Sequence, residues 1–345
     1  MLSLFGGGCK MSDISKKDII IETEHLSVHF PVKGGLPFRK KYVKAVSDVS
    51  LKIRRGETYG LVGESGCGKS TFANALLGMV EPTDGKVIFE GQDLNALKKK
   101  EFRELRRNMQ MIFQDPFSSL NPRFDLLQII GEPMVIRGGY TPEEIEERVV
   151  ELLELVGLSR EDLHRYPSAF SGGQRQRIGI ARAIILNPSF LVCDEPVSAL
   201  DVSVHAQILN LLNELQKERK MTYLFISHNL AVVKSICDHM AVMYLGKVME
   251  CGSTQAIYQN TLHPYTQALL SAVLDIDMDN KRERTVLHGD IPSPINPPPG
   301  CRFCKRCPKA MPICSQIQPE LFEIEPDHMI ACHLYSKKDE GGATE

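Results

Sequence analysis

Short apolar runs separated by polar breaks organise the first ninety residues. Ile19–Ile21, Val49–Ile53, Thr58–Val62 and Val87–Phe89 predict strands. A Gly/Pro/basic stretch from Pro31 to Lys41 interrupts them as a loop. The period changes at Thr141. Thr141 reads as an N-cap, Pro142 as the first helical residue and Glu144 as the capping-box partner. Ile145, Val149, Leu152, Leu153 and Val156 then recur at helical spacing until Gly157 ends the run. Residues from about 115 to 170 therefore read as a helical insert. Beyond it, Phe190–Cys193 reads as a buried strand, Ala206–Lys217 as a helix and Tyr223–Ser227 as a second buried strand. Met240–Leu245 and Val248–Glu250 form a predicted hairpin turning at Gly246-Lys247.

Apolar strands alternating with helices predict an α/β fold, a mostly parallel sheet covered on both faces. The strand-rich start adds an antiparallel β subdomain. Residues 1–18 read as a flexible tail, 19–254 as the main domain and 255–345 as a smaller C-terminal one. Within the latter, the Pro-rich segment 291–300 is a stiff extended connector leading into a cysteine cluster at 301–332.

Composition narrows the function classes. The chain has 345 residues, 43% of them hydrophobic and 24% charged, which excludes a mostly disordered polypeptide. At roughly 150 residues per domain, two domains are expected. With 41 basic against 43 acidic residues there is no basic excess for neutralising a duplex, so no nucleic-acid partner is expected. Arg39–Lys41 and Lys98–Lys100 read as solvated faces. No window of 18 uncharged apolar residues suggests a membrane span, and no secretory signal is evident. A cytosolic setting with reduced thiols follows as the expectation. Of ten cysteines, Cys9, Cys67, Cys193, Cys237 and Cys251 are scattered, whereas five fall between Cys301 and Cys332. That concentration points to a metal site rather than to disulfides.

Two segments carry phosphate chemistry. Gly63-Glu64-Ser65-Gly66-Cys67-Gly68-Lys69-Ser70 fits G-x-x-x-x-G-K-[ST] between a predicted strand and an apolar helix, with Thr71 following. Glycines let backbone N–H groups close on phosphate oxygens, Lys69 would reach the β- and γ-phosphates, and the Ser70 hydroxyl would ligate Mg²⁺. Phe190–Asp194 is an apolar strand ending in acids: Asp194 would support Mg²⁺ through water, and Glu195 would polarise an attacking water. Ser171 followed by Gly172 and Gly173 opens a helix, a second anion-binding N-terminus that cannot grip the same nucleotide.

The run Ser171-Gly172-Gly173-Gln174-Arg175-Gln176-Arg177 resembles the signature motif of ATP-binding subunits of ABC transporters, and the resemblance covers about residues 19 to 335. It implies two cassettes sandwiching two ATPs, each signature acting on the partner's γ-phosphate. Gln114 is similar to the Q-loop glutamine that touches Mg²⁺ and faces the membrane partner, Ser198–Asp201 to the D-loop, and His228 to the γ-phosphate-contacting switch histidine. Phe30 fits the adenine-stacking aromatic, with Tyr42 as the other choice. The resemblance implies Glu195, His228 and Lys69 as the catalytic set. The segments 114–123, 193–201, 262–270 and 289–297 resemble the oligopeptide/dipeptide importer branch, and Asp115-Pro116-Phe117 its F-type member.

Within that branch a [4Fe–4S] cluster has precedent. The usual four positions match Cys301, Cys307, Cys314 and Cys332. Cys304 is the departure, with substitution for Cys301 as the other choice because the C-x2-C-x2-C run resembles part of a ferredoxin motif. Structural zinc and plain reduced core thiols are the alternatives. His328 and His333 lie near these cysteines in sequence. The implied role is an ATPase at the cytoplasmic face of the membrane. Its implied partners are a second cassette (a paralogue or a second copy), two permease subunits and, indirectly, an extracytoplasmic peptide-binding protein. Import of nickel or another small solute is the alternative cargo. A nucleic-acid-associated ABC ATPase is a distant one, since only 57 positions without heptads separate Gln114 from Ser171.

Overall fold

The computed structural model describes residues 18–32, 41–272, 287 and 289–335. The expected tail, apart from its last residue, and most of the loop from Pro31 to Lys41 lie outside the described residues. In chain order the elements are β1 (Ile19–Pro31), β2 (Tyr42–Arg54), β3 (Thr58–Val62), α1 (Lys69–Leu76), β4 (Asp84–Phe89), β5 (Gln92–Asp93), α2 (Lys99–Arg106), β6 (Met109–Ile112), α3 (Leu126–Arg137), α4 (Pro142–Leu155), α5 (Gly172–Ile184), β7 (Phe190–Asp194), α6 (Val202–Arg219), β8 (Thr222–Ser227), α7 (Leu230–Ile236), β9 (His239–Tyr244), β10 (Lys247–Ser253), α8 (Thr254–Gln259), α9 (Pro264–Ser271), β11 (Phe322–Glu325) and β12 (His328–Ile330).

Two sheets share the work. One is antiparallel, in the order β2-β1-β4-β5; the other runs β11-β12-β10-β9-β3-β8-β7-β6. The five strands β9-β3-β8-β7-β6 pair in parallel, and every residue of β3, β7 and β8 is buried. Continuous apolar runs are what a strand covered on both faces requires. One hydrophobic core joins that sheet to α1 and the antiparallel sheet, through Phe72, Leu76, Ile21 and Phe89. The other joins it to the helical insert, where Ile130 of α3, Val149 and Leu153 of α4 and Ile180 of α5 meet.

The insert folds as its caps dictate. Thr141 Oγ1 accepts from Glu144 N (3.2 Å) while Glu144 Oε2 accepts from Thr141 N (2.7 Å), and Gly157 leaves the helix at φ +77°. Two boundaries differ from the sequence reading. Helix α6 starts four residues early, at Val202 after the N-cap Asp201. The hairpin turns at Leu245-Gly246, with φ +44° and +79°, because Lys247 already pairs with Tyr244 across the ladder.

The C-terminal residues do not form a separate layer. β12 pairs with β10 (Glu250 opposite Ile330), so the main sheet crosses the expected boundary at 255. Cys301, Phe303 and Cys314 belong to the same core as Tyr244 and Tyr265. The connector 291–300 has neither helix nor strand but leans on β2 through a single bridge, Val43 to Ile295, and a hydrogen bond from Lys44 N to Pro294 O (3.1 Å).

Candidate active site

The strand β3 delivers the chain to Gly63, and the loop to Gly68 turns it into α1. Gly68 is the N-cap at φ +110°, and a Cβ there would lie 2.1 Å from the Ala45 carbonyl oxygen, so only glycine fits. Lys69 is buried and donates to Gly63 O (2.7 Å) and Glu64 O (3.1 Å). The loop thus holds its cation against its own carbonyls. Cys67 packs in the interior, where burial pushes its thiol up while Lys69 opposes the shift.

A cavity of about 620 Å³ opens over this loop. Ser65, Gly66, Gly68, Lys69, Ser70 and Thr71 line one side; Gln114, Glu195 and His228 line another. Phe30 of β1 is on its rim and 40% exposed, whereas Tyr42 is not among the lining residues. Gly63, Glu64 and Cys67 belong to the loop without lining the cavity.

Three strand ends bring the acids and their partners together. Ser70 Oγ donates to Asp194 Oδ1 at the end of β7 (3.4 Å). Burial raises the Asp194 carboxyl; the Ser70 hydrogen bond opposes this and the neighbouring Glu195 charge adds to it. Glu195 follows at φ +46°, a left-handed conformation that costs about 1–3 kcal/mol for such a residue. Its carboxylate is held from two sides: Gln114 Nε2, beyond β6, donates to Oε2 (2.9 Å), and His228 Nδ1, beyond β8, lies 3.2 Å from Oε1. The result is a carboxylate fixed at the mouth of a phosphate-sized cradle, suited to orienting a water.

The second phosphate motif is elsewhere. None of the residues lining the cavity comes from Ser171–Gln174. Ser171 Oγ caps α5 by accepting from Gln174 N (3.3 Å), and Gln174 Oε1 accepts from Ser171 N (3.0 Å). Both residues are exposed. Gly173 allows α5 to meet α6, since a Cβ would lie 2.5 Å from Val204 Cγ1. Asp201, the exposed N-cap of α6, therefore shares a surface with the signature segment.

At the C-terminal end, Cys301, Cys314 and Cys332 are buried and Cys304 and Cys307 partly exposed; all nine described cysteines are free thiols. Burial pushes Cys301 up to about 12, with Cys314, Cys332 and Cys304 adding to it, and Cys332 up to about 11, with Cys307 and Cys314 adding. The thiols are thus gathered at one end of the fold. Among the described residues, however, no three His, Cys, Asp or Glu side chains are grouped to hold one metal ion, so neither the expected [4Fe–4S] ligand set nor the alternative zinc tetrad is assembled. The two nearby histidines are used otherwise: His328 Nε2 is 2.8 Å from Glu250 Oε1, and His333 Nε2 is 2.9 Å from Ile317 O.

Sequence reasoning missed the contacts that the C-terminal region makes with the cavity and with the phosphate loop. Pro294 lines the cavity, Tyr265 OH accepts from Glu64 N (3.0 Å), and Arg306 grips the Glu64 carboxylate. No spacing rule connects residues 242 positions apart.

The chain matches the family model described as ABC transporter over residues 46–198, and that of the oligopeptide/dipeptide transporter C-terminal region over 249–314. The oligopeptide transport ATP-binding protein AppF of Bacillus subtilis (strain 168) is 53% identical over 327 residues, spanning 93% of this chain and 99% of AppF. OppF of Salmonella typhimurium is 49% identical over 325 residues, spanning 92% and 97%. Among solved structures, cbiO1 from Clostridium perfringens, part of the cbiONQ ABC transporter complex, aligns with a TM-score of 0.61 at 27% identity over 70% of this chain and 92% of that one. The dimeric cassette MJ0796 bound to ADP and phosphate aligns at 0.60 and 28% identity, over 68% and 99%. Sharing about half its residues with AppF and OppF along nearly their whole length, the chain belongs to the ABC transporter family, among the oligopeptide transport ATP-binding proteins.

Proposed function

We propose that the chain hydrolyses ATP at the Lys69–Glu195 cavity and that head-to-tail closure of two such cassettes powers peptide import through separate membrane subunits. The observation that carries this reading is the Glu195 carboxylate held between Gln114 and His228 at the mouth of the phosphate loop. ATP would lie with its phosphates on Gly66–Thr71 and its base towards Phe30. Mg²⁺, held by Ser70 and Gln114 with Asp194 through water, would supply charge neutralisation at the phosphates. Glu195 orients and polarises water, and His228 and Lys69 receive charge on the γ-phosphoryl group. Exposed Ser171, Gln174 and Asp201, with Gly172 and Gly173 between the first two, would complete the site of the second cassette.

The membrane partner has a candidate seat. A groove of about 1050 Å³ between α2, β6 and α3 is lined by Phe102, Phe113 and Ile136 with Arg106, Arg137 and Arg182 around them. Ile136 is 78% exposed. Ser118 and Ser119, in the segment just after Gln114, also line it. A helix of a permease subunit docking there would reach Glu195 through Gln114, and the chain would work peripherally at the cytoplasmic membrane face. Crosslinks from Ser118 or Ile136 to a permease in the assembled transporter are expected; their absence counts against this seat.

The family resemblance is what supports a [4Fe–4S] cluster on Cys301, Cys307, Cys314 and Cys332, a structural group that would draw these thiols together and close the C-terminal turns. ATP hydrolysis needs no electron from it.

The central test is Glu195→Gln, which keeps the shape and removes the carboxylate. Turnover of the reconstituted transporter should fall by about 10²–10³-fold while ATP still binds. Near-normal turnover, with the other cassette inactivated in the same way, overturns the assignment.

A further inference from the structure

Glu64 follows Gly63 directly in the phosphate loop, yet its carboxylate is committed to the far end of the chain. Arg306 Nη1 donates to Glu64 Oε2 (2.7 Å) and Nη2 to Oε1 (3.0 Å), a two-pronged pair. The Arg306 side chain is only 8% exposed. Nη1 also reaches Tyr244 OH (3.3 Å), and the Arg306 N–H donates to Phe303 O (3.0 Å). Phe303 wedges edge-on against Tyr244, with ring centroids 5.3 Å apart, and lies 5.2 Å from Tyr265. Tyr265 in turn accepts from the Glu64 N–H. Both the main chain and the side chain of Glu64 are thereby held by C-terminal residues. The Glu64 carbonyl is one of the two oxygens on Lys69.

We infer that Arg306 is a positioning residue for the nucleotide site: its fork on Glu64 holds the entry of the phosphate loop, so the cysteine-rich C-terminal turn sets ATP affinity within its own chain. A loop that is ordered before ATP arrives loses less freedom on binding than one that must be ordered by it. The fork supplies that order at the residue whose carbonyl Lys69 must leave to reach phosphate. The Arg306 guanidinium is nearly buried and the Glu64 carboxylate half-buried, so removing Glu64 strands a poorly solvated cation, and removing Arg306 frees the carboxylate and with it the loop entry. Pro294, pinned to β2 and lining the cavity, is a second point where the same C-terminal region meets the site. The inference rests on reading Lys69 as the ATP-binding lysine.

The test is equilibrium ATP binding to the full-length chain, with steady-state ATPase of the assembled transporter. Arg306→Ala should weaken ATP binding about tenfold, with the loss on KM rather than kcat. Arg306→Lys, which keeps the charge and loses the fork, should fall between. Glu64→Gln should reproduce the Arg306→Ala loss, and combining the two should cost no more than either alone. The exchanged pair, Glu64→Arg with Arg306→Glu, should recover part of the affinity. Should Arg306→Ala fail to fold, Glu64→Gln and Arg306→Lys carry the test. Unchanged ATP affinity in folded variants, or additive losses, overturns the inference. Lys69→Ala separates the two claims: if it leaves ATP binding intact, the phosphate-loop reading itself has failed, whereas if it abolishes binding and the Arg306 variants do nothing, only the clasp has failed.

Discussion

His239, the first residue of β9, ties three parts of the chain to one imidazole. Its Nε2 lies 2.7 Å from Asp327 Oδ2 in the β11–β12 turn, and its Nδ1 lies 2.8 Å from Glu57 Oε2 ahead of β3, close enough for an ion pair though not aligned as a hydrogen bond. Burial works against its charge, but Asp327 and Glu57 outweigh it and raise the pKa to about 9. The sign follows: the contribution is complete below about pH 6.5 and is lost as pH rises through 9, on the order of 3 kcal/mol as an upper bound. His263 behaves oppositely. Burial lowers it to about 4, against the Glu250 charge, and its neutral Nδ1 accepts from Tyr265 N (3.0 Å). Its contribution is present above about pH 6.5 and is lost as pH falls towards 4. Thermal unfolding of wild type and His239→Gln should therefore show a Tm gap that narrows between pH 6.5 and 9.5. A constant gap across that range refutes the charged-histidine account. Neither histidine is legible as a switch or anchor in the sequence, since their partners come from other elements.

At the scale of elements, α5 and α6 begin side by side because Gly173 leaves room for Val204. Ser171 and Asp201 are the N-caps of those two helices, are exposed, and do not line the cavity that holds Lys69. Ser171→Arg should consequently leave ATP binding at its own Lys69 site within about twofold, while nucleotide-driven pairing of cassettes falls at least about tenfold from a bulky cation against a shared phosphate seat. ATP titration alongside sedimentation of a Glu195→Gln background measures both. Lost ATP affinity with pairing unchanged refutes the head-to-tail arrangement. Elements with strong local signals are readable in advance: the Thr141–Glu144 box, the Pro142 start and the buried runs of β3, β7 and β8 all lie where the pattern puts them. The β9–β10 turn slips by one residue, because Leu245 takes a left-handed φ that its side chain does not advertise.

At the scale of the whole molecule, Cys301, Cys304, Cys307 and Cys314 pack on the main core where the chain beyond Gly300 folds back, and Cys332 packs with Leu262 and Ile330. Cys304 is partly exposed while Cys314 is buried and accepts from Met311 N through its sulfur (3.5 Å). Anaerobically purified chain should contain about four iron and four sulfide. Cys304→Ser should retain them and Cys314→Ser should lose them, by iron and labile-sulfide assay; stoichiometric zinc without sulfide overturns the cluster. The local sequence by itself determined the phosphate loop, the Thr141 helix start and the acid-ended strand, because each rests on residues within one or two turns of each other, where spacing is geometry. Tertiary structure alone decided what the C-terminal region does. β12 extends the main sheet, Pro294 lines the nucleotide cavity and Arg306 clasps Glu64. Such contacts depend on how two distant segments pack against Tyr244 and Tyr265, and a guanidinium finding a carboxylate across 242 residues leaves no period or motif in the chain to be read.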